Sequence, residues 1–350
     1  MMTGWVKEAT SRWQQVPVSE GSMSRPLDAA QLGQWLDRSV TSCQLWKSNW
    51  RNRIYRVTFS DGAHAVAKQN WVGEANELKQ EFHALRELAE LPIDDVMRTP
   101  RPIACLSEHR TYLMEFVAGT SLDVLVRQDG GTRLIDGCRL AGRALATLHQ
   151  FWIQDVRALP ADELLEDLNR IPLEFSRVER RTLDATINQL RGQVVPLGQP
   201  FLDYKPANVI YDGYRVALID PPEQALEMEI MLWDLAVFGR GLRHQLFPSR
   251  IWPGRQRLVT EAVDQFEQAY LAASPLAIPP RNFRRLVDLM GLQRLGQLIA
   301  LQTGKSFRVR SCRASRVSGY MKQMLCYAPL PILRQQVRRL IRRLDASQAF

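Results

Sequence analysis

Phe201-Leu202-Asp203-Tyr204-Lys205-Pro206-Ala207-Asn208-Val209-Ile210-Tyr211-Asp212, followed by Arg215-Val216-Ala217-Leu218-Ile219-Asp220, is the stretch on which the reading of this chain turns. An Asp, a Lys two residues on and an Asn five residues on lie in a loop, and an apolar strand then delivers a second Asp. Phosphoryl transfer uses these residue types. One carboxylate orients an acceptor hydroxyl and takes its proton, and a lysine offsets charge on the moving group. An amide oxygen and another carboxylate hold the magnesium that bridges nucleotide phosphates. Asp203, Lys205, Asn208 and Asp220 fill these roles in that order. Taken alone, an Asp/Lys/Asn loop is also ordinary turn chemistry, so the flanking sequence has to decide.

Upstream, residues 1–39 are mixed, with a short helical pattern around Leu27 to Leu36. Arg53 to Phe59 alternates around Ile54, Tyr55 and Val57, Ser60-Asp61-Gly62 makes a hairpin turn, and Ala63 to Gln69 returns as a strand. A helix is expected from about Glu74 to Leu91, with Leu78, Phe82, Leu85 and Leu88 close to one face. Pro92, Pro100 and Pro102 punctuate, and Thr111 to Val117 reads as another strand. From Gly119 onward the pattern is mostly helical apart from 201–222. Strands thus cluster in the first third and helices in the rest, an α+β arrangement of a small sheet lobe and a larger helical lobe. A cleft between two such lobes is a usual place for a small-molecule site.

The 350 residues are 45% hydrophobic and 24% charged, which excludes wholesale disorder. No apolar run reaches the roughly 18 residues of a spanning helix, and Lys7, Glu8 and Arg12 interrupt any signal-peptide pattern. Five cysteines, none in a C-x-x-C pair, and five scattered histidines fit a reducing, cytoplasmic setting and argue against a zinc centre. Residues 301–350 hold two lysines, nine arginines and one acid, a surplus of +10 against +9 for the whole chain. The basic character is therefore local to the tail.

On these residues the chain resembles the protein-kinase-like superfamily, with D-x-K-P-x-N as catalytic loop and Ile219-Asp220 in the place of the metal-binding D-F-G. The resemblance runs from about Trp46 to Trp233. It implies a two-lobed kinase-like fold, with an N-terminal extension over 1–39, a nucleotide-binding lobe over 40–118 and a helical lobe over 119–350. It further implies that Lys68, in Ala65-Val66-Ala67-Lys68, grips the α- and β-phosphates of ATP with Glu81 as its helix partner. Met114-Glu115-Phe116-Val117 becomes the hinge strand, where adenine binds through backbone groups, with Glu115 and Val117 as the positions of interest. Asn208 and Asp220 become the ligands of Mg2+.

Two spacings select a branch. His149, ending Ala144-Leu145-Ala146-Thr147-Leu148-His149, precedes Asp203 by more than fifty residues, and this insert reads as helical and acid-rich at Asp162 to Asp167. Asp220 lies only fourteen residues before Asp234 in Trp233-Asp234-Leu235-Ala236, which leaves no room for a peptide-docking segment. Both features resemble the aminoglycoside phosphotransferase and choline kinase branch, whose acceptors are small molecules. The sequence departs from that pattern in places. Lys47-Ser48-Asn49-Trp50-Arg51-Asn52 replaces a glycine-rich loop, so that backbone amides with Ser48, Asn49 and Asn52 would meet the phosphates. Trp50 and Arg51 either cover the cleft or face solvent. Phe201 stands where relatives carry a bracing His and must act by packing, while Pro221-Pro222 fixes the backbone after Asp220.

Gly304-Lys305-Ser306 looks like the end of a P-loop, but the required earlier glycine is Ile299. His149 reads as a packed or capping histidine rather than a base, and Tyr204 as a packing residue. In the tail, Leu333, Val337, Leu340, Ile341 and Leu344 share one helical face, while Arg334, Arg338, Arg339, Arg342 and Arg343 take the other. The helix over 331–345 either docks on the large lobe or lies on an anionic surface, such as membrane lipid at the inner face or a phosphorylated glycan. Nucleic acid is not favoured, since no aromatic-and-basic interleaving accompanies the charge. The expected function is an ATP- and Mg2+-dependent phosphotransferase acting on a hydroxyl of a small-molecule or sugar-like acceptor, with a cell-envelope glycoconjugate as the sharper form. The alternative is a catalytically silent nucleotide-binding pseudokinase that acts as a scaffold through its tail.

Overall fold

A computed structural model describes residues 25–49, 52–70, 75–93, 97–128, 131–201, 203–220, 228–245, 253–275, 277–303 and 330–346. Expectations for Trp50, Arg51, Pro221-Pro222, Gly304-Lys305-Ser306 and most of the N-terminal extension fall outside the described residues. The chain divides into two compact units, Met1–Arg86 with Arg101–Phe116, and Glu87–Pro100 with Val117–Phe350. The first is rich in β-structure and the second in helix, the α+β architecture of the kinase-like fold.

In the first unit five antiparallel strands stand in the order β1 (Val40–Ser48), β2 (Asn52–Phe59), β3 (His64–Asn70), β6 (Thr111–Glu115) and β5 (Pro102–Leu106). The side-chain period of two assigns residues to faces. Tyr55, Val57, Ala65, Ala67 and Leu113 pack on one face with Leu27 and Leu32 of the segment around helix α1 (Ala29–Leu36). Val66, Tyr112 and Met114 pack on the other with Leu78 and Leu85 of helix α2 (Ala75–Glu90). β3 is therefore buried on both faces, which is why Ala65-Val66-Ala67 is continuously apolar. The hairpin between β2 and β3 turns at Gly62, whose φ of 80° lies in the region glycine adopts at no steric cost. Asp28 caps α1 by accepting the Gln31 N–H at 2.8 Å, and the Gln69 amide donates to the Arg25 carbonyl at 2.8 Å. Residues 25–39 are thereby tied to the sheet.

The strand expected over 111–117 ends at Glu115. Phe116 still donates its N–H to the His64 carbonyl at 3.4 Å, but the β3–β6 register ends with the pair Ala65 and Glu115.

The second unit centres on helix α4 (Gly131–Trp152) packed against α8 (Pro253–Ala273), with α7 (Trp233–Gln245), α9 (Pro280–Gln302) and α10 (Leu330–Ala346) sharing its apolar core. Gly142 permits the α4–α8 approach, since a Cβ there would lie 2.2 Å from the Phe266 carbonyl oxygen. A four-stranded sheet runs β4 (Met97–Arg98), β11 (Val216–Leu218), β10 (Val209–Tyr211) and β7 (Thr120–Ser121), and a short helix α3 (Leu122–Arg127) follows β7.

The insert between His149 and Asp203 is less helical than its sequence suggests. Helices α5 (Ala161–Asn169) and α6 (Arg177–Leu190) are bracketed by strands β8 (Ile153–Ala158) and β9 (Val194–Gly198), which pair with each other, and β9 also pairs with β12 (Glu229–Ile230). These strands are specified by partners some forty residues apart, a signal that local periodicity does not carry. Two acids of this stretch are paired with arginines and a third is hydrogen-bonded within the fold. Asp162 accepts two hydrogen bonds from Arg191, at 2.7 and 3.0 Å, Glu166 pairs with Arg170, and Asp167 accepts from the Gln293 amide at 3.2 Å.

The C-terminal helix is docked. Leu333, Val337, Ile341 and Leu344 are buried in the core, Thr182 of α6 donates to Asp345 at 3.2 Å, and Arg343 pairs with Asp288 of α9 at 3.3 Å. Arg334, Arg338, Arg339 and Arg342 remain exposed.

Candidate active site

Local chemistry builds the loop. Lys205 is extended, Pro206 opens a single 3-10 turn over Pro206–Asn208, and Asn208 donates its N–H to the Lys205 carbonyl at 2.9 Å. β10 leaves from that turn and returns as β11 through Asp212, whose Oδ1 accepts the N–H groups of Tyr214 and Arg215, both at 2.9 Å. The register pairs Val209 with Leu218, and the Ile219 N–H donates to the Asn208 carbonyl at 3.0 Å. The hairpin thus sets Asp220 beside Asn208 although twelve residues separate them.

Four side chains converge there. Lys205 Nζ lies 2.6 Å from Asp203 Oδ2, and Asn208 Nδ2 donates to the same oxygen at 3.1 Å and to Asp220 Oδ2 at 3.3 Å. Oδ2 of Asp203 is therefore held on two sides, while its Oδ1 is buried and accepts no hydrogen bond among the described residues. Burial raises the Asp203 pKa, Lys205 pulls it down, and the like charge of Asp220 raises it further.

The loop is anchored from beneath. Asp234, fully buried at the start of α7, accepts the backbone N–H of Phe201 at 2.7 Å, and the Asp203 N–H in turn meets the Phe201 carbonyl at 2.6 Å. The Phe201 ring packs edge-on to Trp152, 4.6 Å between centroids, and against Tyr204. The Tyr204 hydroxyl donates to the Ala141 carbonyl at 2.8 Å, so this residue is part of the core. His149 is buried between Asp234 and Tyr270. The reading of the sequence placed Asp234 only as a spacing marker and missed Tyr270, because 121 residues separate Tyr270 from His149.

In the first unit Lys68 shares the face of Val66, and its Nζ meets Glu81 Oε2 of α2 at 2.8 Å, with side chains only 8% and 13% exposed. At the β1–β2 turn the Asn52 N–H donates to Asn49 Oδ1 at 2.7 Å and the Asn49 N–H to the Asn52 carbonyl at 2.9 Å, while Ser48 is exposed at the end of β1. Glu115 uses its own N–H on the Arg101 carbonyl at 2.8 Å, and its carboxylate accepts the Arg101 N–H at 3.2 Å. Val117 is buried. Beside Glu115, the Phe116 ring is flanked by the exposed Trp46, 6.0 Å between centroids, and by the Arg56 guanidinium at 5.0 Å.

The donor set at Asn208 and Asp220 is all oxygen and amide, and the mutual repulsion of Asp203 and Asp220 is what a hard dication would relieve. Among the described residues no cluster of three or more His, Cys, Asp or Glu forms a complete protein cage. A partial set of this kind suits magnesium, which keeps water and phosphate oxygens among its ligands.

The sequence profile of the phosphotransferase enzyme family (APH) matches residues 42–279. No curated protein matches the chain. Among solved structures, the chain is similar to macrolide 2'-phosphotransferase MphH from Brachybacterium faecium, at 15% identity and a TM-score of 0.52 over 85% of this chain and 96% of that one. It is also similar to a thermostable variant of aminoglycoside phosphotransferase APH(4)-Ia in ternary complex with ADP and hygromycin B, at 15% identity and a TM-score of 0.51 over 90% and 97% of the two chains.

Proposed function

Because this chain belongs to the phosphotransferase enzyme family, and is a small-molecule phosphotransferase with an alcohol group as acceptor, we propose that it transfers the γ-phosphoryl group of ATP to a hydroxyl of a sugar-like acceptor. The observation that carries this reading is the carboxylate of Asp203, fixed at Oδ2 by Lys205 and Asn208 and without a hydrogen-bond partner at its buried Oδ1 among the described residues. An acceptor hydroxyl donating to this carboxylate is oriented and deprotonated by a base whose pKa burial has raised. Lys205 then offers its ammonium to the charge on the transferring group. Asn208 and Asp220 would hold Mg2+, and Lys68 with Glu81 would position the α- and β-phosphates. Bound there, magnesium neutralises phosphate charge and aligns the nucleotide for in-line transfer. ADP in the APH(4)-Ia complex supports an adenine nucleotide as donor.

For the acceptor we favour a cell-envelope glycoconjugate. The exposed row of Arg334, Arg338, Arg339 and Arg342 supports this, since it offers positive charge to an anionic surface while the apolar face of α10 is spent on docking. Among the described residues no helix is long and apolar enough to cross a membrane, so any such contact would be peripheral.

The test is transfer of γ-labelled phosphate from ATP into a cell extract, wild type against Asp203→Ala, with products split between aqueous and organic phases. The expected result is label lost in the variant with nucleotide affinity kept. Unchanged turnover in Asp203→Ala would sink the assignment. ATP binding with no labelled product from any extract would leave a nucleotide-binding scaffold instead.

A further inference from the structure

β8 stands at the end of its sheet. The order is β12-β9-β8, so among the described residues one edge of β8 is paired with β9 and the other is not paired. The register fixes which backbone groups face that open edge. Val156 lies opposite Pro196, whose carbonyl accepts the Met231 N–H at 3.0 Å on the far side of β9. Leu159 donates its N–H to the Gln193 carbonyl at 2.8 Å. Asp155 and Arg157 therefore turn their backbone groups to β9, while Val156 and Ala158 turn theirs outward. In the single chain the outward N–H of Val156 is held by its neighbour's carboxylate, Asp155 Oδ1, at 2.8 Å.

The side chains along this edge are exposed from Gln154 to Ala158. Val156 is 48% exposed, and Val194, opposite Ala158 on the same face, is 45% exposed. An open edge strand with apolar side chains is a template for pairing, and folded chains guard such edges with charge. Here the charges are Asp155 and Arg157, of opposite sign and one residue to either side of Val156. They repel or attract according to what lies opposite. Turned about a two-fold axis at Val156, a second β8 sets the partner's Arg157 against Asp155 and the partner's Asp155 against Arg157. Both pairs fall at non-hydrogen-bonded positions, where opposed side chains come closest. In the same register Val156 meets its own copy, its outward N–H and carbonyl find partners, and the two apolar patches join.

We propose that the open edge of β8 is a homodimer interface: two copies of this chain pair their β8 strands antiparallel about Val156, and two three-stranded sheets become one of six. The self-complementary order of Asp155, Val156 and Arg157 is what selects a second copy as the occupant. One short strand from each chain makes a small contact, so the dimer is reversible. The proposal does not depend on the reading of Asp203 as the base.

The experiment is sedimentation velocity of the full chain against concentration, for wild type, Asp155→Arg, Arg157→Asp and an equimolar mixture of the two variants. Wild type should dimerise with a midpoint below about 0.1 mM. Either variant alone sets like charges opposite each other twice and should weaken association by about tenfold or more. The mixture should restore it, because each variant then faces the reversed charge of the other. Val156→Pro removes an outward N–H that the β9 ladder does not use, and should weaken the dimer as well. An unchanged melting midpoint establishes that the variants are folded. Wild type that stays monomeric at about 0.1 mM overturns the proposal and leaves the edge to a strand of another protein. A dimer that survives both charge reversals overturns it too, as does a mixture of folded variants that stays monomeric. Should a variant fail to fold, amide hydrogen exchange of wild type decides: exchange at Val156 should slow as concentration rises, and a rate independent of concentration overturns the proposal.

Discussion

Replacing Lys205 with alanine tests the chemistry of the loop most directly. Its Nζ lies 2.6 Å from Asp203 Oδ2, and the two side chains are 15% and 21% exposed, so solvent screens the pair little. Two losses follow. In the proposed role the moving phosphoryl group would lose one preorganised cation, worth about 3 kcal/mol or roughly 10²-fold in kcat. Asp203 also loses the group that pulls its pKa down, while burial and the charge of Asp220 still push it up. As the proposed base, Asp203 would act only when ionised, so activity should fall as pH drops through its folded pKa. In Lys205→Ala that acid limb should move to higher pH. The assay is labelled-phosphate transfer from ATP across about pH 5 to 9, with ATP affinity measured alongside. A fall in kcat of less than about threefold, or an acid limb that stays where it is, would refute the assigned role.

Three further outcomes concern the fold that carries the loop. Gly142→Ala should cost about 2 kcal/mol by forcing α4 away from Phe266, read as a lower urea midpoint; an unchanged midpoint would contradict the close approach. Ile341→Ala should cost roughly 3 kcal/mol if α10 is docked through its apolar face, while the exposed Arg338→Ala should stay within about 0.5 kcal/mol. Equal effects in the two variants would argue against docking. Burial pushes Asp288 up to about 6 despite Arg343 beside it. A carboxyl whose pKa rises on folding stabilises fully below its unfolded value and loses that contribution as pH climbs through the folded one. Wild type should therefore lose roughly 3 kcal/mol relative to Asp288→Asn between about pH 4 and 6, and a pH-independent difference would count against it.

Much of the candidate site was legible because its residues are neighbours in sequence. Asp203, Lys205 and Asn208 lie within six residues, and the apolar run that delivers Asp220 follows soon after. In the sheet of the first unit β2, β3 and β6 were legible, since the alternation of Ile54, Tyr55 and Val57 survives in the packing of both faces, whereas β1 and β5 were not read as strands. β8, β9 and β12 were not, because their apolar residues gain strand character only from one another. Nor was the partner of Asp162 legible, since Arg191 lies twenty-nine residues on.

By itself the sequence determined what is written in local spacing: the α+β order of elements, the loop with its four polar groups and the two-faced terminal helix. Backbone period and turn chemistry act over a few residues, and those features need nothing more. Only the tertiary structure decided which long-range partners those groups meet. It spent the apolar face of α10 on the core, and brought His149, Asp234 and Tyr270 into one buried line beneath Phe201. Burial is the physical reason, because a polar group removed from water must find a partner wherever the chain provides one.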